Sequence, residues 1–102
     1  MMSHLQVIND ASKRRYRLLI DSEEVGYSEY DPIGTRSILI KHTEVSPQNE
    51  GKGYGSRLVE GMLADIRAQG KTVIPICPYT LNYIRRHREH VDLVRADLRS
   101  TL

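Results

Sequence analysis

Four side chains and one loop supply the reactive chemistry of this sequence. His42 and Glu44 stand two residues apart, the spacing that puts both on one face of a strand, and an imidazole beside a carboxylate takes protons near neutral pH. Cys77 is followed by Pro78, and a proline at the first helical position would set the thiol at a helix N-terminus, where the dipole favours thiolate. The bland alternative is a small buried core residue, a common role for free cysteine. Tyr79 and Tyr83 come next, one helical turn apart. They are phenols that either move a proton or bury their rings and keep only the hydroxyl polar. His87 and His90 with Cys77 match no closed metal-site spacing, so no metal is expected.

The loop lies between Val45 and Ser56. Gly51, Gly53 and Gly55 alternate there just before a helical pattern begins, letting backbone amides crowd toward a ligand at a helix start. Orphan amides and the positive end of a helix dipole favour an anion, with Lys52 and Arg57 adding charge at the rim. Two familiar phosphate loops fail the spacing. A Walker A loop needs Ser or Thr directly after Gly-Lys, where Gly51-Lys52 is followed by Gly53. A dinucleotide fingerprint needs Gly-x-Gly-x-x-Gly in the first strand-helix unit, and this loop follows several strands. A flexible turn with no ligand is the alternative.

The elements that must hold these groups follow from periodicity. Leu5–Ile8, Arg15–Ile20, Val25–Tyr30 and Ser37–Val45 read as strands separated by turn residues, with Asp31-Pro32-Ile33-Gly34 breaking the third from the fourth. An antiparallel meander is expected. In the fourth strand Ile38, Leu39 and Ile40 are consecutive, which predicts an inner strand covered on both faces, with Ile38, Ile40, His42 and Glu44 pointing one way. From Gly55 the period turns helical, Leu58, Met62 and Ile66 forming one stripe over about four turns and Gly70 standing at the C' position. Val73–Cys77 is too short for a helix and reads as a fifth strand, in which Pro75 forbids full pairing. A second helix runs from Pro78 to about His87, and the tail from Val91 is either a short helix or irregular.

The 102 residues make one domain, since two would each fall below the size that sustains a core. A formal charge of +2 argues against a dedicated phosphate-backbone binder. The last eighteen residues nevertheless set Arg85, Arg86, Arg88, Arg95 and Arg99 against Glu89, Asp92 and Asp97, which predicts a local basic patch or a solvated face. One cysteine makes no internal disulfide, and no apolar run approaches signal-peptide or membrane-span length, so a cytoplasmic protein without membrane attachment is expected.

The segment from Gln48 to Leu58 resembles the acyl-CoA pyrophosphate loop of the GCN5-related N-acetyltransferases, whose pattern is Arg or Gln, two residues, Gly, one residue, then Gly or Ala. Gly53 and Gly55 match, while Glu50 stands where Arg or Gln is usual. His42-Thr43-Glu44-Val45, the glycine loop, Cys77-Pro78-Tyr79 and Tyr83-Ile84 with His87 together resemble the small YjdJ-type acetyltransferase-like members, over roughly Ser37 to Val94. The resemblance implies a truncated α/β (α+β) fold with a mixed sheet of about five strands, the fourth and fifth parallel and splayed around the pantetheine arm. A proline is tolerated where strands have already parted, so Pro75 agrees with that splay.

The same resemblance implies acetyl-CoA as cosubstrate and N-acetyl transfer as the activity. The main chain of Glu44 and Val45 would pair with pantetheine. Glu50, Gly51, Lys52, Gly53, Tyr54, Gly55, Ser56 and Arg57 would surround the pyrophosphate, Tyr79 would pack on CoA, and the Arg85 to Arg99 run is either a solvated face or a contact to the 3'-phosphate of CoA. Among catalytic candidates, His42 is a base or a hydrogen-bonded core residue, Glu44 orients it or removes a proton through water, Cys77 lies near the thioester and accepts acetyl or merely fills the core, and Tyr83, ahead of Tyr79, protonates the departing thiolate or packs in the core or on CoA. The acceptor is an amine of unidentified kind: a protein lysine, a chain terminus or a small amine. Its open side is either solvent or completed by a second copy of the chain. Two other readings remain: an acyl-CoA-binding module without turnover, and a nucleic-acid-binding domain that uses the basic tail.

Overall fold

The structure, a computed structural model, describes residues 4–102. Strands β1 (Leu5–Asp10), β2 (Arg15–Ile20), β3 (Glu23–Ile33) and β4 (Ser37–Val45) form the expected antiparallel meander, and β5 (Thr72–Pro75) joins β4 in parallel, giving the order β1-β2-β3-β4-β5. The crossover between the two parallel strands is α1 (Tyr54–Ala68), and α2 (Pro78–Arg86) follows β5. The third strand runs three residues past the expected break. Tyr30 N–H still donates to Arg14 O, but β2 ends there, so Pro32 lacks its N–H where no strand faces it. The chain reverses only at Gly34, whose φ of +62° suits a residue without a Cβ.

The expected stripe of α1 carries the core. Leu58, Val59, Met62, Leu63 and Ile66 are buried against Tyr16, Leu18, Ile38, Ile40 and Val73 of the sheet. Each such side chain contributes about 1.5–3 kcal/mol of transfer free energy. The helix ends as Gly70 foretold. With Gly70 at φ +70°, its N–H donates to Arg67 O at 3.0 Å and that of Lys71 to Ile66 O at 3.2 Å, the paired bonds that satisfy the last carbonyls. At mid-helix Gly61 lets α1 settle on β1, since a Cβ there would lie 2.6 Å from Val7 Cγ2.

Strand β4 departs from simple alternation. Tyr30 pairs with Ile40 and Glu29 with His42, so Lys41 is an extra residue that β3 does not match. This bulge reverses the faces beyond it. Ile38 and Ile40 point to the helices, and after Lys41 it is Thr43 that continues that face, opposite the buried Ser28. His42 and Glu44 do share a face, but the opposite one from Ile38 and Ile40, contrary to strict alternation. The expectation that both faces of β4 are covered also fails. Although β4 is an inner strand, α1 and α2 both lie on the Thr43 side, and Leu39 on the other side is only half-buried.

The fifth strand is shorter than expected, ending at Pro75 rather than Cys77. Val73 O on its outer edge accepts from Arg95 N–H at 3.0 Å, and Val94 bridges to Val73, so the tail covers part of that edge. Two 3-10 turns, Arg88–Leu93 and Ala96–Thr101, build the tail. The basic patch is smaller than the sequence implied. Arg95 pairs with Asp97, Arg99 donates to the carbonyls of Asp92 and Val94, and Arg85 reaches Thr101 O. Asp92 in turn is held by both guanidinium arms of Arg67, at 2.8 and 2.9 Å.

Candidate functional site

Beyond Ile40 the parallel strands part. The last link between them is Cys77 N–H donating to Ile40 O at 3.0 Å, after which α2 leads the chain away from β4. A cavity of about 600 Å³ opens at this splay, bounded by the end of β4, the glycine loop, the first turn of α1, and α2. Its wall brings together His42, Glu44, Val45, Glu50, Gly51, Gly53, Tyr54, Gly55, Ser56 and Tyr79, most of the residues the sequence singled out. Cys77, Tyr83, Lys52 and Arg57 do not line it. Thr43, Asn49 and Arg86 do; of these the sequence marks only Arg86, as one member of the basic run from Arg85 to Arg99.

The loop gives its amides to the cavity because of its glycines. Gly51 and Gly53 hold φ of +80° and +78°, and no side chain caps α1. Arg57 N–H is the first to bond back, to Gly53 O at 3.3 Å, which leaves the amides from Gly53 to Ser56 without a helical acceptor. Gly55 has a different task. A Cβ on it would lie 1.9 Å from the Tyr79 hydroxyl, so its bare Cα is what lets Tyr79 lean on the start of α1.

Around the end of β4 the two faces differ in kind. On the helix-free face His42 Nε2 lies 3.5 Å from Glu44 Oε1, both side chains more than half exposed, and the Tyr27 hydroxyl donates to Glu44 Oε2 at 3.4 Å. On the helix face Thr43 Oγ1 is the hub of a buried polar cluster, 2.9 Å from Ser28 Oγ and 3.4 Å from Thr80 Oγ1. The Cys77 thiol donates to the same oxygen at 3.6 Å. Cys77 is 3% exposed and therefore sits behind Thr43, on the side of β4 away from His42. This pairing with Thr43 was hidden by simple alternation.

Tyr83 is committed elsewhere. Its hydroxyl donates to Glu60 Oε2 on α1, and its ring stacks on His87 and His90 at centroid distances of 4.1 and 5.9 Å. Burial, and then the bond to Glu60, push the phenol well above its ordinary range, while that bond lowers the Glu60 carboxyl. The cluster ties α1, α2 and the first 3-10 turn of the tail together, with His90 Nε2 3.3 Å from the same Glu60 oxygen. Of the two phenols, Tyr79 is the one in the cavity wall.

A family model described as GCN5-related N-acetyl-transferase matches residues 15–93 of the chain. The chain belongs to this family. Among solved structures, the fold is similar to that of N-acetylglutamate synthase from Neisseria gonorrhoeae, complexed with coenzyme A and N-acetyl-glutamate, at 21% identity and a TM-score of 0.58 over 72% of this chain and 18% of that one. Ard1 from Thermoplasma volcanium aligns at 17% identity and TM-score 0.58, covering 79% of this chain and 56% of its own. Ribosomal-protein-alanine N-acetyltransferase from Brucella melitensis biovar Abortus 2308 aligns at 18% and 0.53, covering 80% and 61%. The chain thus spans less than two thirds of each of these proteins, and at such identities the likeness is one of fold. No curated protein sequence matches the chain. No helix among the described residues is long and apolar enough to cross a membrane. The cavity contains one residue whose position was legible in principle, because Arg86 follows Tyr79 by seven residues, two turns along one stripe of α2.

Proposed function

We propose that this acetyltransferase binds acetyl-CoA in the cavity at the β4–β5 splay and transfers the acetyl group to an amine. The observation that carries this reading is the meeting of two unsatisfied backbone runs in one wall: the uncapped start of α1 and the end of β4 that β5 has left. Amide donors at a helix start suit phosphate, and an unpaired strand edge suits the amides of a pantetheine arm. The pyrophosphate is assigned to the amides of Gly53, Tyr54, Gly55 and Ser56, and the arm to the main chain of Glu44 and Val45.

The chemistry follows from what surrounds the splay. The amine nitrogen attacks the thioester carbonyl carbon, the carbon–sulfur bond breaks, and CoA leaves as a thiolate that takes up a proton. His42, oriented by Glu44, accepts the proton the amine gives up, from the face that no α-helix covers. Tyr79 rather than Tyr83 is assigned to the thiolate, because the Tyr83 hydroxyl is already given to Glu60. The burial of Cys77 on the side away from His42 favours direct transfer over an acetyl-cysteine intermediate. The acceptor, a protein lysine, a chain terminus or a small amine, approaches across the helix-free face.

Calorimetric titration with acetyl-CoA tests the binding site, using the wild type, Gly53→Glu and Gly53→Asn. The wild type binds saturably and Gly53→Glu does not, because a carboxylate then occupies the loop. Asn adopts the left-handed conformation far more readily than other residues, so Gly53→Asn retains binding and separates charge from strain. Absence of binding in the wild type ends the proposal. Binding without thiol release from CoA across a panel of amines leaves an acyl-CoA-binding module.

A further inference from the structure

The acetyl-CoA cavity has a charge problem that its own loop does not solve. Two carboxylates, Glu44 and Glu50, stand in its wall, and a phosphate-bearing ligand placed there meets repulsion before it meets the amides. The cations expected at the rim, Lys52 and Arg57, are exposed and turned out of the wall. Among the described residues Arg86 is the one lysine or arginine that lines the cavity.

Apart from the exposed Arg88, which does not line the cavity, the other arginines of this region are engaged elsewhere. Arg85 is engaged with Thr101 O, Arg95 with Asp97, and Arg99 with the carbonyls of Asp92 and Val94. Among the described residues Arg86 makes neither a hydrogen bond nor an ion pair, so its five N–H donors are free. Its placement is also explained. Helical side chains lean toward the helix N-terminus, so an arginine in the last turn of α2 reaches back along the stripe of Tyr79, toward the wall that Gly55 and Ser56 share.

We infer that Arg86 is the cation that neutralises a phosphate of bound CoA, supplied from α2 because the glycine loop contributes only backbone and a carboxylate. This rests on the acetyl-CoA reading of the cavity and names the side chain that makes it selective for the phosphorylated cosubstrate. A guanidinium fits the task because it offers parallel donors to a phosphate and stays charged at every working pH.

The test titrates wild type, Arg86→Ala and Arg86→Lys with CoA and with 3'-dephospho-CoA, each at low and high salt. Arg86→Ala weakens CoA about tenfold or more at low salt, as the loss of a charge-assisted contact requires, and Arg86→Lys recovers part of it. A penalty that disappears with 3'-dephospho-CoA assigns the contact to the 3'-phosphate. A penalty that persists with that ligand and shrinks at high salt assigns it to the pyrophosphate. Wild-type binding of CoA that Arg86→Ala leaves within twofold overturns the inference while leaving the cosubstrate site intact, as does a penalty independent of salt and of the 3'-phosphate. Failure of the wild type to bind CoA at all overturns the cosubstrate reading instead. Because Arg86 is exposed and without a partner, both variants should melt with the wild type.

Discussion

Gly55 and Tyr79 are a pair in which each explains the other. The nearest atom to a Cβ on Gly55 is the tip of the Tyr79 ring, which can swing into solvent, so Gly55→Ala costs little stability and displaces the phenol instead. If Tyr79 serves the thiolate, Gly55→Ala and Tyr79→Ala should lower turnover, read as thiol release, by similar factors, with the double variant no worse than either. Factors that multiply would sever the link. Cys77 makes the opposite kind of prediction. Intact mass after incubation with acetyl-CoA should show no added acetyl group, and a 42-dalton-class adduct that is lost in Cys77→Ala would install an acetyl-enzyme step. At this scale the sequence was informative where backbone freedom or local spacing decides. Gly53, Gly55, Val45 and Tyr79 are all where their neighbours in sequence placed them. Tyr83 was assigned to the acid role because its partner, Glu60, lies on another helix. Nothing within a turn of Tyr83 announces that contact.

At the level of elements, α1 was the most legible because one stripe of apolar residues and one terminal glycine determine it. The close approach of α1 to β1 was not visible, since Gly61 reads as a weak point of a helix until Val7 is found against it. Gly61→Ala should therefore destabilise, despite alanine's ~1 kcal/mol advantage in helices, because Val7 is stiff and β1 must move. Urea midpoints would show it, with Gly61→Ala and Val7→Ala non-additive by ~0.5 kcal/mol or more. Additive effects would mean that Gly61 is not what seats the helix. Strand boundaries failed in both directions for identifiable reasons. Pro32 stays in β3 because its neighbour strand has ended, and Cys77 leaves β5 because Ile76 and Cys77 already turn toward α2. Family resemblance located the splay, but only coordinates show the Lys41 bulge beside it.

For the whole molecule, the titrating groups set limits on either side of neutrality. The carboxyl of Glu60 is lowered by the Tyr83 hydroxyl, so its contribution is present above the unfolded carboxylate range and fades as acid protonates the folded form. Tyr16, buried and donating to Asp65 Oδ2 at 2.6 Å, is raised, as is Tyr83. Raised phenols contribute fully below the unfolded tyrosine pKa of about 10 and lose that contribution as pH climbs beyond it. Unfolding midpoints should be level near neutrality, fall in acid less steeply for Glu60→Gln, and fall above about pH 10 less steeply for Tyr16→Phe. An alkaline limb unchanged by Tyr16→Phe would exclude that phenol. The bulge in β4 has a consequence for how such a protein can change over time. The side chain at position 41 is exposed and β3 has no partner for it, so losing it would set His42 directly after Ile40 in plain alternation, with His42 still opposite Glu29 and Thr43 still opposite Ser28. Substitution and single-codon deletion at this position can therefore both be accepted without exchanging the two sides of the site.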